Sequence, residues 1–225
     1  WNYSVAASAV EFLAAGQTRV ETFTFNVEDG QGGSVPRSVS VTITGTNDAP
    51  DSQVVTSDSA AATLAETNTT LSASGTLTVT DADTTDTVSS SVTGVTLAGA
   101  TGSLSAADVL AMLTVSPTSG LAANSGDAHN LIWSFNSGAQ AFDFLGAGQS
   151  LTLNYTVQSS DNNAASDTQL VSVVIIGSND AELPDGAEDE FSLQETSQEP
   201  AQDVPEEELG FLGADPTAAS DAILG

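Results

Sequence analysis

Acidic and amide side chains recur at the ends of alternating apolar runs in this sequence. Asn47 and Asp48 follow the run "VTIT", and the same pair of residue types recurs at 179–180 after "VVII". Asp81 and Asp83 follow a third run, in the motif "DADTTD". Carboxylate, amide and carbonyl oxygens are the ligands that Ca²⁺ takes in groups of six to eight. These residue types therefore offer calcium binding, provided that the fold brings them together.

Other chemistries match the sequence less well. Zinc prefers Cys or His, but the chain has no cysteine and its single histidine, His129, is isolated in "SGDAHN", where we predict a solvated loop side chain. The spacing D-x-D-x-x-D lacks the glycine and the final glutamate of an EF-hand loop. Asp and Asn are also common turn residues, so capping of strand ends is an alternative to metal binding.

We expect no enzyme activity. Paired carboxylates, as in glycoside hydrolysis, are the only catalytic chemistry that the sequence offers, and an acidic chain forms such pairs by chance. The sequence contains no nucleophile elbow, phosphate-binding loop or histidine-based triad.

The charge of the chain excludes several partners. Thirty Asp and Glu residues face only Arg19 and Arg37, which gives a net charge of -28. Nucleic acids and anionic membranes require clustered cations, so neither is an expected partner. No apolar run approaches the roughly 18 residues of a membrane span. Self-repulsion destabilises a compact state of this charge, and divalent cations would relieve it.

An internal repeat organises the chain. The segment "WNYSVAASAVEFLAAGQ", from Trp1, aligns without a gap with "WSFNSGAQAFDFLGAGQ", from Trp133, about 132 residues later. The similarity continues to Ala49 and Ala181. Because the chain starts without methionine inside a predicted strand, we expect it to be a fragment of a longer protein. The predicted organisation is the C-terminal part of a preceding repeat at 1–50, a complete repeat at 51–181, and an acidic, disordered linker or tail at 182–225.

The repeat has the pattern of an all-β domain. Apolar residues alternate with Ser and Thr at a period of two, which is typical of half-buried antiparallel strands. "VEDGQGGSV" is typical of a glycine-rich hairpin, and "SAADVLAML" predicts one helical turn capped by Ser105 with Val109, Leu110 and Leu113 facing inward. We predict an immunoglobulin- or cadherin-like antiparallel β-sandwich. Its seven expected strands lie near 53–57, 70–80, 91–98, 112–116, 130–136, 150–159 and 168–177.

Alternating strand directions divide the predicted ligands between the two ends of this sandwich. The second strand returns toward the preceding repeat and brings "DADTTD" beside Asn47 and Asp48, while the first and last strands end at the opposite pole. Asp86, the last acid of that motif, is left out of the predicted ligand set. The predicted calcium ligands are Asn47, Asp48, Asp81, Asp83 and Asp161 at the near pole, Glu66, Asn179 and Asp180 at the far pole, and Asp29 in the preceding repeat.

Three segments resemble the VCBS repeat, a cadherin-like module of large bacterial RTX-type and biofilm-associated surface adhesins. They are "SASGTLTVTDADTTDT", "FLGAGQSLTLNYTV" and "VSVTITGTNDAP". The resemblance implies a secreted or cell-surface protein, exported by a type I route, whose tandem domains form a calcium-rigidified stalk. By similarity to cadherins, it implies that Asp81, Asp83, Asn47 and Asp48 share interdomain calcium. The second copy departs from the pattern, since "GSNDAEL" lacks the proline and "SDNNAAS" replaces "EDGQGGS".

The leading functional hypothesis is a structural spacer of an adhesin. Its expected partners are the neighbouring repeats of the same chain, with host or biofilm ligands bound through other domains. The alternative is a carbohydrate- or protein-binding module, in which Trp1, Tyr3, Trp133 and Phe135 stack on a ligand if they are exposed. Aromatic residues in alternating strands more often belong to a core, which favours the spacer.

Overall fold

The computed structural model of the chain describes residues 1–123 and 126–179. Asp180 and the predicted tail at 182–225 lie outside the described residues. The first 50 residues contain a 3₁₀ turn at Ala7–Ala9 and two antiparallel strands, β1 (Thr18–Glu28) and β2 (Ser34–Thr44). The glycine-rich hairpin predicted from "VEDGQGGSV" connects these two strands.

The segment from Asp51 to Ile176 forms two packed sheets. One sheet has the strand order β4-β11-β10-β6-β8, and the other has the order β3-β5-β9-β7. All pairs are antiparallel except β4 with β11, which is parallel. The elements are β3 (Asp51–Gln53), β4 (Ala61–Ala65), β5 (Ser72–Thr80), β6 (Thr87–Gly99), α1 (Ala106–Val109), β7 (Leu113–Ser116), β8 (Leu121–Ala122), β9 (Leu131–Asn136), β10 (Ser150–Ser160) and β11 (Ser166–Ile176).

The core lies between the two sheets and follows the predicted period of two. On β9, Trp133 and Phe135 are buried while the residues between them are exposed. On β10, Tyr155 and Val157 face the same interior, and the ring of Tyr155 lies 6.3 Å from that of Phe135. Alternation places one face of each strand in the apolar interior and the other in solvent. The predicted all-β, immunoglobulin- and cadherin-like sandwich is confirmed.

The strands differ from the prediction in number and at their start. The described residues of this domain form nine strands instead of seven, and the first predicted strand, 53–57, is interrupted by a turn. The Asp58 carboxylate accepts the N–H of Val55 at 3.1 Å, and Ser57 has a φ of 78°. This turn carries the chain from β3 in one sheet to β4 in the other. The sequence of β4, "AATLA", has low β-propensity, so local pattern gave little signal for it.

The predicted helical turn is present and anchors the core. The carboxylate of Asp108 accepts hydrogen bonds from the N–H of Ser105 at 2.8 Å and from its hydroxyl at 2.6 Å. Val109 is fully buried, and its carbonyl oxygen accepts the hydroxyl of Tyr155 at 3.0 Å. Leu110, which was expected to face inward, is exposed because the chain tightens into a 3₁₀ turn at that residue.

His129 lies in a loop and is exposed to solvent, as predicted, but it is not isolated, because its ring has a partner. Its Nδ1 lies 2.6 Å from the carboxylate of Asp58, which also accepts the hydroxyls of Thr76 at 2.7 Å and Thr78 at 2.8 Å. Burial opposes ionisation of Asp58, but the bonds from His129, the two threonines and the N–H of Val55 outweigh it and lower its pKa to about 2. Asp58 therefore joins the β3–β4 turn to β5 and to the loop before β9.

Gly75 provides a test of how Trp133 packs against the neighbouring strand β5 and the β3–β4 connection. A Cβ at this position would lie 2.7 Å from the indole of Trp133 and 2.6 Å from the carbonyl oxygen of Ser59. We expect Gly75→Ala to lower the free energy of unfolding by about 1–3 kcal/mol, because the backbone has to shift to admit the methyl group. Gly94→Ala is the matched control, since nothing lies within 4 Å of its Cβ position. Urea denaturation of both variants measures the difference, and equal midpoints would contradict this account.

Candidate metal centre

Two loops of the sandwich meet the end of the segment that precedes it. β2 ends at Thr44 and leads to Asn47 and Asp48, β5 ends at Thr80 and leads into the motif at 81–86, and β10 ends just before Asp161. Antiparallel pairing sends these chain ends to the same pole. We call the resulting group the junction cluster, and its members are Asn47, Asp48, Asp81, Asp83, Asp86 and Asp161.

Direct contacts join the predicted near-pole residues. The amide nitrogen of Asn47 donates to Oδ2 of Asp161 at 2.7 Å, across 114 residues of sequence. The backbone N–H of Asp48 donates to Oδ2 of Asp83 at 2.8 Å, and the N–H of Asp83 donates to Oδ1 of Asp81 at 3.0 Å. All five residues predicted for this pole are therefore in one place, and residues on both sides of the boundary at residue 50 contribute.

Asp86 belongs to the cluster, although it was not among the predicted ligands. Single carboxylate oxygens of Asp81, Asp86 and Asp161 lie within 4.8 Å of one another. The amide groups of Asn163, at 2.9 Å, and Asn162, at 3.4 Å, donate to Asp86. The sequence signal for Asp86 was its place as the third acid of D-x-D-x-x-D, directly before β6. Asn162 and Asn163 had no such signal, because their role depends on the β10–β11 hairpin reaching this loop.

Several buried oxygens of the cluster have no hydrogen-bond partner. Asp81, Asp83, Asp86 and Asp161 are only 3%, 0%, 4% and 8% exposed. Within the described part of the chain, the buried atoms without a partner include Oδ1 of Asn47, Oδ2 of Asp81 and Oδ1 of Asp83. Leaving a buried polar atom unpaired costs about 1–3 kcal/mol, and more when the group is charged. Three such oxygens in one cluster indicate a cation as their partner.

Backbone hydrogen bonds leave one oxygen of each key carboxylate directed at the site. Asp81 uses Oδ1 for the N–H of Asp83, and Asp83 uses Oδ2 for the N–H of Asp48. Asp161 uses Oδ1 for the N–H groups of Asn163 and Ala165, at 2.8 and 2.9 Å. The side chains are thus oriented before any ion binds. The second oxygens of Asp81 and Asp83 have no hydrogen-bond partner, whereas that of Asp161 accepts the amide of Asn47. Oxygen-only ligands of mixed type match Ca²⁺.

Negative charge is concentrated in the cluster and raises two pKa values. Burial raises the pKa of Asp81 to about 6, and the charges of Asp83, Asp86 and Asp161 add to the shift, against the N–H bond from Asp83. Burial also raises the pKa of Asp83, with further contributions from Asp48, Asp86 and Asp161. Among the described residues, no ion pair connects an arginine to the cluster, since Arg19 pairs with Glu21 at 3.2 Å. Neutralisation therefore requires protons or a bound cation.

The far pole also contains a buried carboxylate. Glu66 is 2% exposed, and its Oε2 accepts the hydroxyl of Ser178 at 2.7 Å and the N–H of Ser178 at 3.3 Å. Its Oε1 is buried without a hydrogen-bond partner. The predicted ligand Asn179 directly follows Ser178 and is exposed. Asp180, also predicted here, lies outside the described residues.

Asp29 does not join either group. It lies in the exposed β1–β2 hairpin, where Oδ1 accepts the N–H groups of Gln31 and Gly33 at 2.8 and 2.9 Å. These backbone hydrogen bonds lower its pKa. Oδ1 of Asp161 accepts backbone N–H groups of its own hairpin in the same way, so the two residues share a local conformation. They differ at Oδ2, which in Asp161 accepts the amide of Asn47.

The four aromatic side chains proposed for ligand stacking differ in their exposure to solvent. Trp133 and Phe135 are buried in the core, as the alternating strand pattern favoured, so neither meets the condition of exposure for stacking on a surface ligand. Trp1 is exposed and Tyr3 is half-buried. None of the helices in the described residues has the length and apolar character needed to cross a membrane.

Comparisons with known proteins give weak structural likeness only. No protein-family model and no curated protein matches the sequence. The protocadherin gammaB7 EC3-6 cis-dimer structure is 16% identical with a TM-score of 0.38, over 71% of this chain and 33% of that one. The protocadherin gammaB4 extracellular domain is 17% identical with a TM-score of 0.36, over 72% and 22%. A PapD-like domain of human CEP192 is 13% identical with a TM-score of 0.33, over 58% and 85%.

This chain thus spans about a third or less of the two protocadherin chains. The resemblance to the VCBS repeat stays a prediction, and the function of the site rests on its own geometry.

Acidification is expected to stabilise the metal-free protein. The folded state binds a proton at Asp81 with a pKa of about 6, whereas an unfolded Asp binds it only near 3.9. The free energy of unfolding in EDTA should therefore rise by about 1.4 kcal/mol as the pH falls from about 7.5 to 5. Thermal melts at several pH values measure it. Asp81→Asn should show a weaker pH dependence, and an unchanged slope in that variant would refute the assignment.

Proposed function

We propose that this chain is a calcium-stabilised structural module of a tandem β-sandwich protein. The observation that carries the proposal is the junction cluster, in which buried oxygens of Asn47, Asp81 and Asp83 lack hydrogen-bond partners. Asn47, Asp48, Asp81, Asp83, Asp86 and Asp161 would hold the metal. Bound Ca²⁺ would supply the positive charge that the chain itself does not bring to this site.

The position of the cluster suggests that the ion stiffens a boundary. Asn47 and Asp48 belong to the segment before residue 50, and the four aspartates belong to the sandwich after it. Other polar contacts across this boundary are few, such as the amide of Gln17 with the hydroxyl of Thr85 at 3.0 Å and the hydroxyl of Thr84 with the carbonyl of Phe12 at 3.3 Å. An ion shared across the boundary would fix the two parts more firmly than these exposed bonds.

The energetic effect of such an ion is large for a domain of this size. Extracellular calcium modules have dissociation constants of about 0.1–1 mM. Calcium at about 100 times its dissociation constant stabilises the bound form by about 2.7 kcal/mol per site. Total domain stability is about 5–15 kcal/mol, so each site supplies a substantial share.

We further propose that the parent protein is secreted or displayed on a bacterial surface. Sites of such affinity fill where calcium is abundant, which favours an extracellular location. The segments "GTLTVTDAD" and "GTNDAP" support a VCBS-type repeat of an RTX-type or biofilm-associated adhesin, exported by a type I route. Its partners would be neighbouring repeats of the same chain, with adhesion carried by other domains. The role is mechanical and requires no catalysis.

Paired substitutions at Asp161 and Asp29 test calcium binding. The two side chains make equivalent hairpin hydrogen bonds, but only Asp161 lies in the junction cluster. We expect Asp161→Asn to weaken calcium binding at least about tenfold, because a carboxylate is lost from the site, which corresponds to about 1.4 kcal/mol or more. Asp29→Asn should leave the affinity unchanged. Calorimetric titration of the chelator-treated chain with CaCl₂ measures both.

The same titration contains the outcome that overturns the proposal. The unsubstituted 225-residue chain should bind calcium and melt at a higher temperature in CaCl₂ than in EDTA. If this chain takes up no calcium at millimolar concentration, the metal site is refuted. Equal effects of the two substitutions would assign binding to general surface charge instead of the cluster.

Stiffening of the boundary is a separate prediction. Removing calcium should broaden the distribution of particle dimensions measured by small-angle scattering, because the two parts then move more freely about residue 50. Asp83→Asn should give the broad distribution even in CaCl₂, since it loses one of the buried carboxylates of the shared site. A calcium-bound protein whose scattering matches the chelated protein would retain the metal site but remove the mechanical role.

A further inference from the structure

The β1–β2 hairpin exposes an apolar face to solvent. Phe23 and Phe25 are 48% and 47% exposed, and Trp1 is 88% exposed. These side chains border a groove of about 520 Å³ that Tyr3 and Val39 also line. A two-stranded sheet is marginally stable in water unless further strands or packing cover such a face. The face therefore requires an occupant.

The second hairpin of the chain shows the same backbone arrangement about 132 residues later. Strands β1 and β10, and likewise β2 and β11, occupy equivalent ranges and pair in the same register. The N–H of Gly45 donates to the carbonyl of Gln17 at 2.8 Å, and the N–H of Gly177 donates to that of Gln149 at 2.9 Å. The two glycines also sit in the same crowded place, since a Cβ would lie 2.0 Å from the Leu13 oxygen and 2.3 Å from the Leu145 oxygen.

The aromatic packing is repeated as well. The rings of Tyr3 and Phe23 lie 5.8 Å apart with an interplanar angle of 55°. Phe135 and Tyr155, at the equivalent positions, lie 6.3 Å apart with an angle of 59°. The two pairs differ in their surroundings, because Phe135 and Tyr155 are buried between two complete sheets. Residues 1–50 thus have the backbone of the last strands of a sandwich without its other strands.

We propose that the exposed face of β1–β2 is the binding surface for a β-strand segment equivalent to residues 51–132, which leads directly into Trp1 and completes a second sandwich. In the complete domain, this segment supplies β5 and β7 on the two sides of β9, and β6 and β4 on the outer edges of β10 and β11. The segment would add strands in the same places around Trp1 and the hairpin. Its side chains would bury the face, as Tyr155 and Val157 are buried in the complete domain.

The chemistry of the face selects this occupant over others. The groove is lined mainly by aromatic and aliphatic side chains, beside Asn2, Ser4 and Glu21, and it lies on a two-stranded sheet whose outer edges are unpaired in the described residues. It therefore matches strands with one apolar face better than a charged or extended polar ligand. The one carboxylate that lines it, Glu21, is bonded to Arg19 and to the hydroxyl of Tyr3. The inference does not depend on calcium, since no member of the junction cluster lies in the groove.

A fusion that places residues 51–132 directly ahead of Trp1 of the 225-residue chain tests the proposal. Residues 51–132 contain no tryptophan, so the fusion keeps Trp1 and Trp133 as its two emitters. In the 225-residue chain, acrylamide should quench Trp1 and spare Trp133. In the fusion, Trp1 should become as protected as Trp133, in CaCl₂ and in EDTA alike. A fusion with the same residues in scrambled order is the control, and its Trp1 should stay quenchable.

Several outcomes would overturn the proposal. Trp1 that stays quenchable in the ordered fusion, or becomes equally protected in the scrambled one, means that the face does not select this segment. A 225-residue chain that sediments as a dimer with Trp1 already protected would assign the face to a second copy. The protection of Trp1 is also measured in EDTA, so it does not depend on calcium. A chain that binds no calcium would therefore refute the proposed function without affecting this test.

A substitution in the fusion gives a second, independent readout. Phe25→Ser should lower the melting temperature of the fusion, because Phe25 would be buried there as Val157 is in the complete domain. In the 225-residue chain the same change should have little effect, since Phe25 is half-exposed. Val157→Ser should destabilise both proteins. Equal effects of Phe25→Ser in the two proteins would contradict burial of the face.

Discussion

The rest of the structure depends on how the protein tolerates several buried carboxylates at one pole. Burial and mutual repulsion both disfavour the charged forms of Asp81 and Asp83. Hydrogen bonds from backbone N–H groups offset part of this cost, but each such bond occupies one oxygen and leaves another unpaired. The arrangement is therefore incomplete by itself, and a cation is the partner that would complete it. A chain with two arginines and no lysine cannot provide that partner internally.

The sandwich prepares this site through strand direction and hairpin geometry. Antiparallel order returns β5 and β10 to the same pole, where the chain enters from β2. Asp161 then uses a local loop conformation that Asp29 also adopts, so the hairpin orients the side chain before the cluster forms. The carboxylate of Glu66 at the other pole is arranged in the same way, because one oxygen accepts a hydrogen bond from Ser178 and the other has no hydrogen-bond partner. Both poles of the domain thus hold a buried carboxylate oxygen without a hydrogen-bond partner.

The repeated hairpins connect the metal chemistry to the architecture. The hairpins β1–β2 and β10–β11 share the same register, loop hydrogen bonds and aromatic pairing. The same hairpin arrangement therefore occurs twice in one chain, in two different environments. In one it is buried by the strands around it, and in the other its apolar face is open. In the tandem array proposed above, the Asn-Asp pair that ends one module would serve the junction with the domain that follows.

Much of this protein was determined by its sequence. The period of two in β9 and β10 fixed the sandwich core, since alternate side chains must face opposite sides of a strand. Strand direction then grouped Asn47, Asp48, Asp81, Asp83 and Asp161, which the structure brings together. Only the tertiary structure decided the rest. The turn at Asp58, the partner of His129 and the place of Asp86 beside Asn163 depend on contacts between loops far apart in sequence. Local pattern carries no information about such contacts, because they arise only when the two sheets have packed.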